Sequence, residues 1–179
     1  MHIDELDTPA LILDLDGLAD NLQRYQRYFA ACGIGLRPHV KTHKCLAVAQ
    51  AQLRAGAAGI ACQKLSEAEV MVAGGVVTDT LIPYNIVGAA KLARLTTLAR
   101  QAPVTVAADS DYTVDGLAAA ARAAGVVLRV VVELGRGRTG VPSPTAAAAL
   151  GQRIHADPHL ELRGIMVMPS PPEVRPLLQ

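Results

Sequence analysis

Short apolar runs alternate along this chain with longer amphipathic stretches, at a period of roughly 20 to 25 residues. That rhythm constrains the fold more than any other feature. From the N-terminus, "PALILDL" predicts a strand and "DGLADNLQRYQRYFAACG" a helix opened by Asp16 and closed by Gly33. The pattern then repeats, with "GLRPHV" before the helical "KCLAVAQAQLRAG", "GIACQ" before "SEAEVMVAGG", and "DTLIPY" before "GAAKLARLTTLARQ". "VTVAADS" leads to "DYTVDGLAAAARAAG", "LRVVVEL" to "SPTAAAALGQRIHAD", and "LELRGIMVM" closes the series. The strands are nearly continuous Val, Ile, Leu and Ala, as a parallel sheet covered by helices requires. The class is α/β. Two architectures fit the alternation, a closed barrel and an open doubly wound sheet. Ser66, followed by Glu67 and Glu69, and Ser143, just ahead of Pro144, read as helix N-caps.

With 179 residues and 51% hydrophobic content, one domain with a substantial core is expected. It spans residues 1–168. The segment 169–179, "PSPPEVRPLLQ", reads as a proline-rich tail or a point of truncation. Net charge is +1 with both signs dispersed, which leaves no basic footprint for nucleic acid or an anionic membrane. No apolar run approaches the roughly 20 residues of a membrane span, and the acidic "MHIDELD" lacks a signal peptide's basic start. A cytoplasmic protein with small-molecule partners is expected. The cysteines, Cys32, Cys45 and Cys62, are odd in number and outside any zinc spacing, so packing is their expected role.

"RPHVKTHK", residues 37–44, holds two of the four lysines and two of the five histidines. By strand alternation Arg37, His39 and Lys41 share one face, and Leu36, Pro38 and Val40 the other. A basic face is costly unless something anionic meets it. Lysine at the carboxyl end of a barrel strand stands where such folds carry chemistry. Crowded by Lys44, His39 and Arg37, Lys41 is expected to lose proton affinity and become a nucleophile toward an aldehyde. Pyridoxal phosphate supplies both the aldehyde and the anionic phosphate. Two surface lysines on a solvated loop is the plain alternative. His39 and His43 have no carboxylate or cysteine beside them at a zinc-binding spacing.

"DTPALILDLDGLADNLQRY", "RPHVKTHK", "GIACQKLSEAEVMVAGGV", "LIPYNIVGAAKLARL" and "VELGRGRTGV" follow one another in an order and spacing that resembles a known group. It is that of the pyridoxal-phosphate enzymes similar to D-threonine aldolase and D-serine dehydratase, within the alanine racemase-like barrels. The resemblance implies a TIM-type barrel with Lys41 holding the cofactor as a Schiff base, and His39, Gln63 and Arg138 beside it. Arg138 matches an arginine facing the pyridine nitrogen, where a fixed cation leaves that nitrogen unprotonated. Read against the family, the first strand precedes the barrel, about six of eight barrel strands follow, and the C-terminal β-domain is absent. That β-domain holds the family's divalent metal through a histidine and an Asp or Cys, and no equivalent ligands are expected in this chain. Met168 stands where a tyrosine is common.

The implied reaction is retro-aldol cleavage of a β-hydroxy D-amino acid to glycine and an aldehyde. Dehydration with deamination, or racemisation, are alternatives within the group, and a catalytically silent cofactor-binding half-barrel is an alternative of another class. The resemblance also leaves room for a homodimer. "GRGRTG", residues 135–140, formally matches GxGxxG after a strand. A dinucleotide turn, however, needs its helix to begin within the motif, and here Val141 and Pro142 intervene before the helix. Tyr84 and Asn85 read as pocket walls, and Glu133 and Asp109 as strand-end partners for the basic groups around Lys41. His155 and His159 read as surface or capping groups.

Overall fold

The computed structural model describes residues 2–135 and 138–168. Among the described residues the α-helices are α1 (Leu15–Ala31), α2 (Leu46–Arg54), α3 (Leu65–Ala73), α4 (Ala89–Ala99), α5 (Asp111–Ala124) and α6 (Pro144–Ala156). From α2 onward they alternate with five strands, β1 (Ile60–Ala61), β2 (Thr80–Asn85), β3 (Val104–Ala108), β4 (Leu128–Glu133) and β5 (Leu160–Met166). All pairings are parallel, and the order across the sheet is the order along the chain. A doubly wound sheet reverses its order at one point. Here every crossover steps the same way, and because such crossovers are right-handed the helices fall on one face while the sheet curls toward a barrel. The architecture is a partial TIM-type barrel.

The helix-facing side chains explain why the strands read so clearly. Ile82, Val104, Val106, Leu128, Val130 and Val132 are buried and belong to one core with Leu95 and Leu98 of α4, Leu117 and Ala121 of α5, and Leu150 and Ile154 of α6. Each fully buried side chain of this size contributes about 1.5–3 kcal/mol. β3, in the middle of the sheet, is buried along its whole length, which is why its sequence shows no polar alternation.

Helix ends follow local chemistry. Ser110 and Ser143 accept backbone N–H bonds from Thr113 and Ala146, and Pro144 occupies the first helical turn as expected. The cap of α1 is Asp14 rather than Asp16, its carboxylate accepting from Asp16 N and Gly17 N. Ser66 lies inside α3, whose first residue is Leu65.

Two expected strands differ. Residues 10–14 have no strand pairing, and Leu11, Ile12 and Leu13 are exposed. An apolar run becomes a strand only where a neighbouring strand receives its N–H and C=O groups, and among the described residues no strand pairs with it; Asp14 O accepts only from Leu18 N of α1. "GLRPHV" is reduced to a single bridge, His39 to Ala61, because Pro38 has no N–H to give and contributes only its carbonyl, which accepts from Ala61 N at 2.8 Å. At the other edge β5 leaves Leu162 and Ile165 exposed, the uncovered apolar surface expected of an incomplete barrel. The segment 169–179 and Arg136 lie outside the described residues.

Candidate active site

The carboxyl ends of the strands and of the 36–40 segment gather polar groups at one rim. Val40 N donates to Ala61 O at 2.8 Å, which fixes the approach of the segment that carries Lys41. The chain then turns back, Lys44 N donating to Val40 O at 2.8 Å with Lys44 at φ +50°. A side chain in the left-handed region costs about 1 kcal/mol, so the turn is held by what surrounds it. Glu67 is part of that hold. Its carboxylate accepts Gln63 N at 2.7 Å and stands 3.7 Å from Lys44 Nζ.

Lys41 is exposed at this rim rather than crowded by like charges. Lys44 has an acid for a partner, and Arg37 points away from the site. Its guanidinium bonds Asp79 through both the backbone carbonyl and the carboxylate, each at 2.6 Å, at the amino end of β2. Arg129 and Glu161 extend that ion-pair chain at the same end of the sheet. Gly59 makes the approach feasible, since a Cβ there would strike Asp79 O and the Arg37 guanidinium. The shared basic face expected for Arg37, His39 and Lys41 is therefore split. Arg37 serves the stability end of the sheet and Lys41 the opposite rim.

His39 sits between these regions. Its Nδ1 accepts from Lys41 N at 3.3 Å, so the neutral ring carries its proton on Nε2, a buried atom with no partner among the described residues. Burial, and then the Lys41 charge, hold its pKa below the ordinary value, although Glu67, the Ala61 backbone and the Gln63 side chain pull the other way. The imidazole is thus a neutral donor at pH 7. Cys62, buried next to this cluster, is an inert thiol. Burial and the Glu67 charge push its pKa up to about 12.

The opposite wall is built from β2, β3, β4 and the loop after β4. Asn85 Nδ2 donates to Asp109 Oδ1 at 2.7 Å, and Gly140 N to Asp109 Oδ2 at 3.1 Å. Thr139 donates its hydroxyl to Glu133, 3% exposed, at 2.8 Å. Burial raises the Glu133 pKa, the Thr139 bond opposes it, and the Asp109 charge adds to it. These acids therefore bind the loop rather than the groups around Lys41. Arg138 donates to the Tyr84 hydroxyl and lies over the ring, its Cζ 5.4 Å from the centroid.

The glycines of "GRGRTG" have a local task. Gly140, at φ +99°, brings its backbone against Gly135, so the loop is pinched at its neck, and Val141 N then donates to Glu133 O at 2.8 Å. Helix α6 begins only at Pro144, which removes the dinucleotide reading. Among the described residues no group of three or more His, Cys, Asp or Glu could hold a metal ion, and no helix is long and apolar enough to cross a membrane. Sequence reasoning passed over Glu67 as a helix-start acid and left Tyr84 as a wall. Glu67's position four residues after Gln63 was the available signal; for the Tyr84 contact, 54 residues from Arg138 in sequence, there was none.

A parallel, singly wound α/β arc with an exposed lysine, a neutral histidine and an arginine at the carboxyl rim is the frame of a barrel enzyme of the alanine racemase type. The chain belongs to the family described as alanine racemase, N-terminal domain, whose model matches residues 13–172. It is 40% identical over 162 residues to a D-threonine aldolase from Arthrobacter sp., covering 89% of this chain and 42% of that protein. The crystal structure of D-threonine aldolase from Filomicrobium marinum superposes with a TM-score of 0.87 at 41% identity, over 91% of this chain and 44% of that one. D-threo-3-hydroxyaspartate dehydratase from Delftia sp. HT23 gives a TM-score of 0.82 at 34% identity, over 91% and 44%. The chain thus spans less than half the length of these relatives.

Proposed function

We propose that this chain forms the pyridoxal-phosphate-binding part of a lyase that cleaves β-hydroxy D-amino acids to glycine and an aldehyde, in the manner of a D-threonine aldolase. The reading rests above all on Lys41, exposed at the carboxyl rim two residues after His39, whose buried Nε2 has no partner among the described residues. The rim fits the cofactor in kind. It offers an amine for an aldehyde, polar atoms at His39 Nε2 and Asn85 Oδ1 that have no partner among the described residues and that a polar ligand could satisfy, and a cation at Arg138. When bound, pyridoxal phosphate supplies an electron sink for negative charge developing at the substrate's α-carbon.

In this reading Lys41 holds the cofactor's aldehyde end, and its turn is fixed by the Val40–Lys44 bond and by Glu67. His39 donates from Nε2 and remains neutral, so it orients the ligand without adding charge. Gln63, two residues past the end of β1, lines the same end of the site. By the resemblance, Arg138 would place a positive charge beside the cofactor ring, where it would limit protonation of the ring nitrogen and so restrain electron withdrawal. A divalent metal of the kind the resemblance implies would serve as a Lewis acid toward the β-hydroxyl; among the described residues no group of three or more His, Cys, Asp or Glu would hold it. A small-molecule D-amino acid is the proposed substrate, and a cytoplasmic location and a homodimer complete the proposal.

Dehydration is the second reading, favoured by the similarity to the Delftia dehydratase. One experiment separates the cases. The protein is mixed with pyridoxal phosphate, reduced with borohydride and digested, and the modified peptide is identified. The expected label is on Lys41, and labelling spread over Lys41, Lys44, Lys64 and Lys91, or none, overturns the site. Incubation with D-threonine or 3-hydroxy-D-aspartate, assayed for aldehyde and then for ammonia, distinguishes aldolase from dehydratase. Neither product, with Lys41 labelled, leaves a silent binding module.

A further inference from the structure

The register between β2 and β3 skips two residues at the carboxyl end of β2. Leu81 pairs with Thr105 and Ile82 with Val106, but Ala107 is met by Asn85, so Pro83 and Tyr84 form a bulge. A bulge beside an active site re-aims a side chain, and here that side chain is Asn85. Val104, Val106 and Ala108 belong to the helix-side core, so by alternation Ala107, and Asn85 level with it, stand on the inner face. Ala61 pairs with both His39 and Leu81, and Gln63 and Lys41 follow Ala61 and His39 by two residues, as Ala107 follows Thr105. Lys41, Gln63 and Asn85 are therefore level at adjacent positions of the arc. Two strand spacings, about 10 Å, separate the first from the last, a span that a small molecule held on Lys41 bridges.

The amide of Asn85 has a fixed polarity. Its Nδ2 donates to Asp109 Oδ1 at 2.7 Å, and because a carboxylate only accepts, the amide is held against turning over. Asp109 is itself anchored by Gly140 N, which donates to its other oxygen at 3.1 Å. Asn85 Oδ1 is thus an acceptor, buried, with no partner among the described residues. Such an atom calls for a donor from whatever binds at the rim. Phosphate and carboxylate groups bring acceptors alone, and the amino group of an amino acid is the group that meets the cofactor's aldehyde. Hydroxyls are the donors left, one on the cofactor ring and one on the β-carbon of the substrate. We infer that Asn85 reads a hydroxyl of the bound molecule, accepting its hydrogen bond at Oδ1, with Asp109 as the positioning residue that keeps the amide in the accepting orientation. The inference rests on the cofactor reading proposed above and gives that site a means of rejecting ligands without the hydroxyl.

The test uses reduced conjugates of cofactor and amino acid, which bind without turnover and without a bond to Lys41. Three are titrated against the cofactor-free protein by calorimetry. Phosphopyridoxyl-D-threonine carries both hydroxyls, phosphopyridoxyl-D-2-aminobutyrate lacks the β-hydroxyl, and the D-threonine conjugate of 3-deoxypyridoxal phosphate lacks the ring hydroxyl. Far-ultraviolet circular dichroism confirms that each variant is folded. The wild type is expected to bind the full conjugate about three- to tenfold more tightly than one of the deficient two, the size of one net hydrogen bond, and the weakened conjugate identifies the hydroxyl. Asn85→Leu, which keeps the volume and removes the acceptor, abolishes that difference. Asp109→Asn, whose amide competes with the ligand as a donor to Oδ1, lowers it. Equal wild-type affinity for all three conjugates, or a difference that survives in Asn85→Leu, overturns the role of Asn85 and spares the cofactor reading. A wild type that binds none of them overturns that reading as well. If Asn85→Leu fails to fold, the side-chain amide resonance of Asn85 in the isotopically labelled wild type decides: positions that differ between the full and the deficient conjugates support the contact, and one position with all three refutes it.

Discussion

Thr139 donates its hydroxyl to the buried carboxylate of Glu133 across 2.8 Å, so the loop carrying Arg138 is tied to the last residue of β4. Glu133 has its pKa raised above the ordinary 4.5, by burial first and by the Asp109 charge as well, with the Thr139 bond acting against both. A carboxyl raised in the folded state binds protons more readily there than in the unfolded chain. Its contribution to stability is therefore fully present below 4.5 and is lost as pH rises through the folded value. Glu133→Gln, which keeps an acceptor for Thr139 and removes the charge, is expected to compare more favourably with the wild type at about pH 7 than at about pH 4. Urea unfolding at the two pH values measures this, and a difference independent of pH refutes it.

Gly140 and Gly116 give opposite outcomes for the same substitution. A Cβ on Gly140 would lie 2.6 Å from Gly135 N, and the residue has φ +99°, so Gly140→Ala meets backbone that cannot yield. A loss above about 1 kcal/mol is expected. On Gly116, inside α5, a Cβ would meet Leu92 Cδ1 at an ordinary 3.5 Å, and Gly116→Ala should stabilise by about 0.5–1 kcal/mol through helix propensity. Denaturant midpoints for the pair provide the check. Equal effects would contradict the pinched neck.

Glu67 joins the Lys41 turn to β1 through two different bonds, and two substitutions weigh them. Glu67→Gln retains an acceptor for Gln63 N and loses the 3.7 Å pair with Lys44, whose side chain is 63% exposed, so less than about 1 kcal/mol should be lost. Glu67→Ala also strips Gln63 N of its acceptor, and the loss should rise to about 1–3 kcal/mol. If the two variants melt alike, the bond to Gln63 carries little weight.

The order of elements was legible because burial on both sides leaves a plain mark. Strands β2, β3 and β4 overlap "DTLIPY", "VTVAADS" and "LRVVVEL" to within one or two residues at each end, their helix-facing side chains buried and β3 buried along its whole length. The same mark misled at residues 10–14, since hydrophobicity says that a segment prefers cover without saying what covers it. Side-chain alternation placed His39 and Lys41 beside the rim. It did not foresee Arg37, because two residues of extended chain carry a side chain about 6.6 Å along the strand, here far enough to meet Asp79 at the other end. Whether barrel or doubly wound sheet was settled by strand order, which no local pattern encodes. The Tyr84–Arg138 contact joins residues 54 apart, brought together only by the parallel register of β2, β3 and β4.

His39 and His43 carry the acid limit of the rim, and they separate it into two causes. Both rings have pKa values below the ordinary 6.5, and for both the largest cause is burial. The unfolded chain therefore takes up protons before the folded one as pH falls. Stability from these groups is fully present above 6.5 and is lost as pH drops from 6.5 through the folded values. For His39 the second cause is the Lys41 charge; for His43 the remaining influences are Gln52 and the Cys45 backbone. Lys41→Met removes that charge and leaves burial in place, so the His39 titration should move toward 6.5 while that of His43 stays where it is. Proton NMR titration of the two imidazoles reads both shifts in one sample. Equal movement of the two histidines would mean that the substitution had loosened the 36–44 segment as a whole. No movement of His39 would mean that the Lys41 amine lies too far from the imidazole to share a site with it.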